Sequence, residues 1–543
     1  MRRSEAREKA LKSVTGKKTM QKGKVWLVGA GPSDPGLFTL KGKKVLAQAQ
    51  VVVYDALVGM GILSMIPETA EKIYVGKRAG NHAMTQEEIN ELLVKKANEG
   101  KRVVRLKGGD PFLFGRGGEE LVALQAHGIS YEVVPGVTSA LAVPAYNGIP
   151  VTDRNAASSV HIITGHKRGD QPLKLPFEAY VKAKGTLVFL MGLSALPDIV
   201  RGLLNAGMDA KTPAAVLERG TTAGQRRVCA PLSELESAAE EAHMHTPAII
   251  IVGAVAAMSE QLAWYEKMPL FGRRFLLTRP RERMDALADQ LRVRGAEVVE
   301  LPVIETRPLP VSERIQQEIA RLCEAKDVCC PSGKGVGTEC GKPDAVLVFT
   351  SPAGVHTFFQ MLCDSGRDVR VLGGVTLAVI GNGTKSALRE YGLLADLMPE
   401  DYDGASLGAL LGERLPDKSN VLIARSAIGN PLLVSSMEQR AAELGKTFSV
   451  TDLAIYDTVE KKNELLPIAQ LVEEDVIDGI YFTSASTVRA FLHTNPKVDP
   501  EKIHALCIGE MTAQAAREVG MKVHVAQEAS VEGLVELAEK LYF

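Results

Sequence analysis

Residues 105–119 read RLKGGDPFLFGRGGE, and this run places five glycines, Asp110 and three cations directly after an apolar strand. The strand is predicted over residues 102–106 and ends where the glycines begin. In an open α/β sheet a ligand usually binds at the carboxyl ends of parallel strands, where glycine lets the backbone approach it closely. Asp110 adds an acceptor for a hydroxyl or an amine. A tight strand-to-helix turn explains the same composition, so the rest of the chain must decide between the two.

The chain on either side of this run alternates short apolar strands with helices. Thr85 and Glu88 predict a capping box for a helix that runs to about Asn98, and Gly100 is its predicted stop. Alternation of this kind predicts a mostly parallel sheet with helical crossovers. The pattern stops at a Pro/Gly break, WYEKMPLFG, which predicts a domain boundary near Leu270.

The part of the chain after this break repeats itself. Three pairs of motifs correspond, namely FTSPAGV at Phe349 with FTSASTV at Phe482, IGNGTKSAL at Ile380 with IGEMTAQAA at Ile508, and FLLTRP at Phe275 with VLIARS at Val421. Repeats so far apart predict two similar α/β lobes related by duplication, rather than a short-period solenoid. Two lobes usually bind a ligand in the cleft between them.

Composition disfavours several classes of protein. A chain of 543 residues predicts about three to four domains. Lys and Arg total 64 against 65 Asp and Glu, so there is no overall basic field for nucleic acid, and an anionic small molecule is the better partner. No apolar run reaches the roughly 18 residues of a membrane span. The basic residues 1–23 lack the apolar core of a secretory signal, so we expect a disordered tail on a cytoplasmic protein.

Four of the seven cysteines, Cys323, Cys329, Cys330 and Cys340, lie in a segment rich in Gly, Pro and Lys at about residues 323–343. Four thiolates are able to hold zinc or an iron-sulfur cluster. Their spacing fits no standard ligand pattern, however, and a vicinal pair is awkward for one tetrahedral site. We therefore predict a surface insertion with free thiols and no metal site.

A nicotinamide-dependent dehydrogenase is the first alternative for the N-terminal half, since GAG follows a strand and Asp55 ends the next one. The dinucleotide fingerprint that starts at Gly29 meets Asp34 where its third glycine belongs. Pro32 also lies where a helix N-terminus would donate N–H groups to phosphate, and proline has none to donate. These two residues disfavour the dehydrogenase.

Motifs over about residues 24–264 closely resemble uroporphyrinogen-III C-methyltransferase, namely VWLVGAGPSDPGLFTLKG, VVVYDALV, VGKRAG, RLKGGDPFLFGRGGEE, VVPGVTSALAVPAYNGIPVTDR, TLVFLMG and VLERGTT. The resemblance implies a domain over residues 24–268 with two α/β subdomains, S-adenosyl-L-methionine bound between them, and a homodimer. Asp55 and Lys77 match the positions of a proton acceptor and a proton donor. The implied cofactor-binding residues are Pro32, Gly108, Gly109, Asp110, Leu113, Thr138, Ser139, Met191 and Gly220. Methyltransferases of the same fold that modify other precorrins or RNA are the nearest alternatives.

The implied substrate is an octacarboxylate macrocycle, so its pocket needs fixed cations. Arginine is suited to this role because it clamps carboxylates with two parallel hydrogen bonds. Besides Lys77, the candidate substrate-binding cations are Arg78, Arg105, Lys107, Arg116 and Arg154.

Two residues depart from the family's motifs. Ser33 in GPSD stands where the family generally has glycine, and Asp153 in VTDR stands where it generally has histidine. Ser33 is tolerated if its φ is negative. Asp153 adds an anion near an anionic substrate, which leaves the role of the usual histidine open.

Residues 271–543 resemble uroporphyrinogen-III synthase through FLLTRP, ELPVIET, VFTSPAGV, VIGNGTKSAL, AIYDTV, YFTSASTV, CIGEMTAQAAREVG and VEGLVELAEKL. The resemblance implies closure of hydroxymethylbilane with inversion of its last ring. It assigns Tyr456 as an acid that assists departure of the substrate hydroxyl, and a packed strand tyrosine is an equal alternative. The expected partners of substrate carboxylates are Thr350, Ser351, Thr483 and Ser484.

Together these observations predict an α/β protein, with a two-domain tetrapyrrole methyltransferase fold followed by a two-lobed, duplicated α/β uroporphyrinogen-III synthase fold. The predicted function is bifunctional: the second half makes uroporphyrinogen III, and the first half methylates it twice to precorrin-2. A non-catalytic two-lobed binding protein fits the duplicated half but not the methyltransferase motifs. Whether precorrin-2 then goes to sirohaem or to cobalamin is left open.

Overall fold

The computed structural model describes residues 22–76, 84–166, 173–279, 285–324, 345–463 and 465–543. Lys77, Arg78, Cys329, Cys330 and Cys340 lie outside these ranges, as do residues 1–21 of the expected tail. Within the ranges, no helix is long and apolar enough to cross a membrane. The chain forms two compact units, of which one is Val303–Lys462 and the other contains the residues before and after it.

The first sheet consists of five parallel strands in the order β3-β2-β4-β1-β5. Its strands are β1 Lys24–Gly29, β2 Val51–Tyr54, β3 Glu71–Tyr74, β4 Arg102–Lys107 and β5 Ser130–Val134. Its helices are α1 Leu40–Leu46, α2 Met60–Leu63, α3 Gln86–Asn98 and α4 Gly117–Ala126, with a 3-10 turn at Pro35–Leu37. The predicted capping box is confirmed, because Thr85 accepts the N–H of Glu88 and Glu88 accepts that of Thr85. In the strand order given above, β4, the strand before the glycine run, is the central strand of a parallel sheet.

Helix α5, Ser139–Tyr146, leads into a second sheet in the order β6-β7-β10-β8-β9. Its strands are β6 Val160–Thr164, β7 Thr186–Leu190, β8 Pro213–Glu218, β9 Arg226–Pro231 and β10 Ala248–Val252. Its helices are α6 Phe177–Ala183, α7 Leu196–Asn205 and α8 Leu235–Glu241. Only β6 and β7 pair in parallel. The prediction of mostly parallel sheets is wrong here, because β8 and β9 form a hairpin and β10 inserts antiparallel between β7 and β8.

Two further sheets divide residues 271–543 into lobes. Lobe 1, residues 271–302 and 463–543, has five parallel strands in the order β12-β11-β18-β19-β20. The strands are β11 Arg274–Leu277, β12 Glu297–Glu300, β18 Gly479–Phe482, β19 His504–Cys507 and β20 Lys522–Val525. The helices are α9 Asp285–Val293, α15 Ile468–Glu473, α16 Ala485–Thr494, α17 Glu510–Glu518 and α18 Val531–Tyr542. This lobe belongs to the same compact unit as the N-terminal half.

Lobe 2, residues 303–462, has the order β13-β17-β16-β14-β15, in which β13 alone runs antiparallel. The strands are β13 Ile304–Pro308, β14 Ala345–Phe349, β15 Thr376–Val379, β16 Asn420–Ser426 and β17 Ser449–Glu460. The helices are α10 Glu313–Glu324, α11 Pro352–Asp364, α12 Asn382–Glu390, α13 Gly404–Arg414 and α14 Leu432–Glu443. Cys323 lies in α10 of this lobe, and residues 325–343 of the predicted cysteine-rich insertion lie outside the described residues.

The sequence repeats occupy matching places in the two lobes. The FLLTRP and VLIARS motifs form β11 and β16, each of which pairs with two parallel neighbours. The FTS motifs end β18 and β14, which lie next to those strands, and the IG motifs follow β19 and β15, one strand further out. The predicted duplication is therefore confirmed at the level of strand order.

Ser33, the first departure from the family's motif, has a φ of +114°. Only glycine adopts this region readily, and other residues in such conformations are strained by about 1–3 kcal/mol. The condition that φ of Ser33 is negative is therefore wrong. The strained residue lies in the loop after β1, next to Pro32.

We expect Ser33→Gly to stabilise the protein by about 1 kcal/mol, because relief of strain outweighs the extra freedom of glycine in the unfolded chain. Scanning calorimetry of the full chain measures this as a rise in the transition temperature of the compact unit that contains Ser33. Ser194→Gly is the matched control: Ser194 is an exposed serine in a 3-10 helix, where glycine is expected to destabilise. A fall in transition temperature for both variants would contradict the strain at Ser33.

Candidate active sites

Four glycine backbones meet at the carboxyl ends of β1, β4 and β5. Gly31 donates its N–H to the carbonyl oxygen of Gly109 at 3.2 Å, and Gly109 donates to that of Gly31 at 2.8 Å. A Cβ on Gly136 would lie 2.2 Å from the carbonyl oxygen of Gly109, and one on Gly29 would lie 2.6 Å from it. A side chain at Gly29 or Gly136 would force the loops apart, so glycine is required at these two positions for the backbones to meet.

Gly109 also presents a free surface. It has a φ of +66°, and within the described part of the chain no atom lies within 4 Å of the position a Cβ would take. The adjacent residue Gly108, also predicted to bind the cofactor, differs, because a Cβ there would lie 2.5 Å from the Cβ of Leu57. Gly109 is therefore open to a ligand, whereas Gly108 is a glycine because of packing.

Asp110 holds the glycine-rich loop together. Its Oδ1 accepts the backbone N–H groups of Phe112 at 2.8 Å and Leu113 at 3.2 Å, and its Oδ2 accepts that of Gly136 at 3.0 Å. A carboxylate has about four acceptor positions, so these three bonds leave room for one more donor. The predicted role as a ribose partner stays a prediction, beside a structural role that the sequence did not indicate.

The hairpin loop between β8 and β9, residues 219–225, joins the second sheet to the first. Thr221 donates its hydroxyl to the carbonyl oxygen of Pro32 at 2.7 Å, and its N–H to Oε1 of Gln225 at 2.9 Å. Gly220 packs so closely on helix α5 that a Cβ would lie 2.4 Å from Val143. The predicted positions Pro32 and Gly220 are therefore brought together, although they are far apart in sequence.

Helix α5 lies beside the hairpin loop and the loop after β1. Thr138 caps the helix by accepting the N–H of Ala140 at 3.2 Å. Tyr146, at the other end, donates its hydroxyl to Oδ2 of Asp34 at 2.6 Å. Burial, followed by this bond to Asp34, raises the pKa of Tyr146 far above its ordinary value. The hydroxyl thus remains a donor and ties the helix to the loop after β1.

The other predicted cofactor residues lie around the same loops. Ser139 is the first residue of α5, and Leu113 packs against the core that contains Ala140 and Val143. Met191 follows β7, has a φ of +55° and is 51% exposed. Backbone strain of this kind is concentrated at active sites and ligand clamps, and the cofactor role of Met191 stays a prediction.

A buried ion cluster lies beneath the predicted proton acceptor. Oε1 of Glu120 accepts from Nε of Arg105 at 3.1 Å and from Nζ of Lys107 at 2.9 Å. Nη2 of Arg105 also donates to Oδ2 of Asp55 at 3.2 Å. Burial, followed by the charge of Arg105, lowers the pKa of Lys107 below its ordinary value. The cluster links Asp55, which directly follows β2, to helix α4 through the central strand.

The prediction that Arg105 and Lys107 bind the substrate is corrected by this cluster. Arg105 and Lys107 are each only 4% exposed, and Glu120 is fully buried between them. Both cations are therefore engaged inside the protein and do not present their charge to a carboxylate-rich ligand. Sequence reasoning missed Glu120, although it lies four residues before the buried Leu124 and hence on the inner face of α4.

Of the remaining substrate candidates, Arg116 and Arg154 are exposed. Arg116 forms two hydrogen bonds to Glu119, at 2.8 and 2.6 Å. Asp153, the second departure from the family's motif, caps a local turn by accepting the N–H groups of Asn155 and Ala156. Its carboxylate therefore has a structural role beside Arg154.

Asp55 itself is held from two sides and remains accessible. Its Oδ1 accepts the N–H of Leu57 at 3.2 Å, while Oδ2 accepts from Arg105. A quarter of its side chain is exposed. This arrangement fixes the direction of the carboxylate at the end of β2 and leaves it open to a reactant.

Lobe 2 contains the predicted acid. The hydroxyl of Tyr456 lies 2.8 Å from Oγ of Ser351, which also accepts the N–H of Gly354 at 3.0 Å and caps helix α11. Tyr456 is 6% exposed, and Thr350 directly precedes the cap. The three predicted synthase residues of this lobe, Tyr456, Thr350 and Ser351, are thus assembled at the carboxyl end of β14.

Lobe 1 has the corresponding serine. Ser484 caps helix α16 by accepting the N–H of Thr487 at 3.3 Å, and its Oγ lies 2.8 Å from that of Ser486. Thr483 precedes it, as Thr350 precedes Ser351. The duplicated motifs therefore place a capping serine at matching strand ends, and a substrate cleft between the lobes stays a prediction.

We expect Glu120→Gln to destabilise the protein by about 3–5 kcal/mol, because it leaves Arg105 and Lys107 buried without their shared anion. Calorimetry of the full chain measures the loss. Glu119→Gln is the matched control, since it removes a neighbouring ion pair with Arg116 that is half exposed on both sides. Equal transition temperatures for the two variants would show that burial of the cluster does not matter.

Comparison with known proteins follows the division seen in the fold. The model of the family described as Tetrapyrrole (Corrin/Porphyrin) Methylases matches residues 24–236, and that of Uroporphyrinogen-III synthase HemD matches residues 285–536. The chain is 41% identical over 521 residues to the porphyrin biosynthesis protein HemD of Ruminiclostridium josui, a match that covers 95% of this chain and 98% of that protein.

Two further relatives are similar to parts of the chain. The uroporphyrinogen-III C-methyltransferase of Bacillus subtilis is 39% identical over 388 residues, which cover 71% of this chain and 75% of that one. A solved structure of uroporphyrin-III C-methyl transferase from Thermus thermophilus, complexed with S-adenyl homocysteine, is 42% identical and matches with a TM-score of 0.38. It covers 43% of this chain and 99% of that chain. The chain therefore belongs to the tetrapyrrole methylases over its first half and to the uroporphyrinogen-III synthases over its second.

Proposed function

We propose that the second half of the chain closes hydroxymethylbilane to uroporphyrinogen III and that the first half methylates this product twice, with S-adenosyl-L-methionine, to precorrin-2. The observation that carries the first half of the proposal is the meeting of glycine loops around the open face of Gly109. It is supported by membership of the methylase family over the same residues. Cytoplasmic location and a homodimer through the first half belong to the same proposal.

The residues present fit S-adenosyl-L-methionine. Gly109 offers open backbone, Asp110 has capacity for one more donor, and Met191 offers an exposed thioether side chain. The residues that would hold the cofactor are Pro32, Gly108, Gly109, Asp110, Leu113, Thr138, Ser139, Met191 and Gly220. When bound, the cofactor supplies a methyl group activated on a sulfonium, so the protein need only align the reactants, exclude water and move protons.

In this proposal Asp55 accepts the proton that leaves the methylated ring. Arg105 and the N–H of Leu57 hold its carboxylate in one orientation, and Glu120 holds Arg105 in turn. A base fixed in this way loses little orientational freedom when the substrate arrives. Lys77, proposed as the donor, lies outside the described residues. Arg116 and Arg154 remain the proposed exposed partners of substrate carboxylates, together with Arg78, which also lies outside them.

A dehydrogenase, the alternative considered from the sequence, is disfavoured by Asp34. Its Oδ1 caps the turn at Pro35–Leu37 by accepting the N–H of Gly36, and its Oδ2 accepts from Tyr146. A side chain with two partners therefore stands where the dinucleotide fingerprint needs its third glycine for close helix–strand packing.

We expect Asp55→Asn to slow methyl transfer by at least about 100-fold, because an amide cannot accept the proton. The assay supplies uroporphyrinogen III with methyl-labelled S-adenosyl-L-methionine and follows label in the macrocycle, while calorimetry measures binding of S-adenosylhomocysteine. Binding and synthase activity should be unchanged. Asp209→Asn is the control, since Asp209 likewise accepts an N–H two residues further on, in an exposed turn. Methylation at the wild-type rate would exclude Asp55 as the proton acceptor.

In the second half, the hydroxyl of Tyr456 is proposed to donate a proton to the departing hydroxyl of hydroxymethylbilane. Ser351 holds it at 2.8 Å, and Ser351 is itself fixed by the N-terminus of α11. The main-chain amides and hydroxyls of Thr350, Ser351, Thr483 and Ser484 are the proposed partners of substrate carboxylates. Ring closure begins when the substrate itself loses water, so the protein need not supply a nucleophile.

We expect Tyr456→Phe to slow ring closure by about tenfold to a hundredfold, because the proton donor is lost while the ring still packs. The rate and the isomer of the macrocycle are measured with hydroxymethylbilane as substrate. Tyr391→Phe is the control, since Tyr391 belongs to the same lobe and its hydroxyl lies 3.1 Å from Nδ1 of His356. If Tyr456→Phe closes the ring as fast as the wild type, Tyr456 is a packing residue.

A further inference from the structure

The hairpin loop at residues 219–225, which carries Gly220 and Thr221, is held from outside the N-terminal half. Oε2 of Glu297, the first residue of β12 in lobe 1, accepts the backbone N–H of Ala223 at 2.9 Å. The Glu297 side chain is only 14% exposed. A charge-assisted hydrogen bond shielded from water in this way is stronger than an exposed one.

Lobe 1 fixes the Glu297 carboxylate in turn. Nη2 of Arg274 donates to the same Oε2 at 2.7 Å. Arg274 is anchored by its own N–H to Oδ2 of Asp478 at 2.7 Å and by Nη1 to the carbonyl oxygen of Val476 at 3.1 Å. The acceptor for Ala223 is thus built from β11, β12 and the residues just before β18, all in lobe 1.

The loop itself is strained. Arg219 and Thr221 have φ values of +45° and +70°, although neither is glycine. Residues in such conformations persist only where their surroundings hold them. Gln225 and Pro32 hold Thr221 from within the N-terminal half, and Glu297 holds Ala223 from lobe 1.

The junction between the two halves keeps this contact in place. Leu270 is fully buried in the core of lobe 1 and donates its N–H to the carbonyl oxygen of Arg294 at 2.8 Å. The rings of Tyr265 and Phe271 meet edge to face, 5.3 Å apart. Burial, followed by the carboxylates of Asp34 and Glu297, raises the pKa of Tyr265 well above its ordinary value. One tyrosine thus lies near a carboxylate of each half.

We propose that Glu297 is a positioning residue for the cofactor site of the other half: lobe 1 of the synthase holds the loop that carries Gly220 and Thr221 in its binding conformation. The inference rests on the proposed function, because it takes Gly220 as part of the S-adenosyl-L-methionine site. The synthase half is then a structural part of the methyltransferase as well as the source of its substrate.

The test uses the full chain with Glu297→Ala and S-adenosylhomocysteine as the probe. Loss of one charge-assisted hydrogen bond is expected to weaken its binding about tenfold, measured by calorimetry, while the rate of ring closure stays unchanged. Glu297→Gln keeps an oxygen that accepts from Ala223 and should recover most of the affinity. The Glu297→Gln variant also replaces Glu297→Ala in the binding measurement if the alanine variant does not fold.

Glu300→Ala is the matched control. Glu300 lies on the same strand and pairs with Arg292 at 2.9 Å within lobe 1, so binding of S-adenosylhomocysteine should be unchanged. Wild-type affinity in Glu297→Ala, or a parallel loss of ring closure, would overturn the inference while leaving the proposed function intact. If the wild-type chain itself does not bind S-adenosylhomocysteine, the proposed function falls, and the inference falls with it.

Discussion

The contact between the backbones of Gly31, Gly109 and Gly136 is the constraint on which the first half depends. Three parallel strands end side by side, and their loops approach closely because Gly29 and Gly136 carry no Cβ that would overlap the carbonyl oxygen of Gly109. Once the loops meet, Asp110 can accept N–H groups from its own loop and from Gly136. The loop after β1 then presents Pro32 to Thr221 and Asp34 to Tyr146. The open face of Gly109 is what this framework leaves for a ligand.

The ion cluster of Asp55, Arg105, Lys107 and Glu120 stabilises the same edge of the sheet. Buried charges are stable only when paired, and here one carboxylate serves two cations. The consequence for function is indirect, since Arg105 orients Asp55 and does not itself face a ligand. A cation in a glycine-rich motif suggests an anion-binding site. Two of the three cations of this motif, however, are buried and pair with Glu120.

Much of the fold follows from local patterns. The capping box at Thr85, the strand before the glycine run and the paired FTS and IG motifs were predictable, because each rests on neighbouring residues or on repetition. The antiparallel pairing of the second sheet was not, since a hairpin and a crossover connect strands of similar composition. The conformation of Ser33 was likewise beyond local pattern, because its φ is set by the loops that surround it.

For the candidate sites, the sequence by itself determined the enzyme families. It also singled out Asp55, Gly109, Asp110, Tyr456, Ser351 and Ser484 as candidates, because these lie in motifs that local spacing and resemblance identify. Only the tertiary structure decided which charges face outward. Glu120 meets Arg105 and Lys107, Ser351 meets Tyr456, and Glu297 reaches the loop at Ala223, in each case across a distance in sequence that no motif spans. The physical reason is that burial and pairing depend on which elements pack together, and packing is a property of the folded chain.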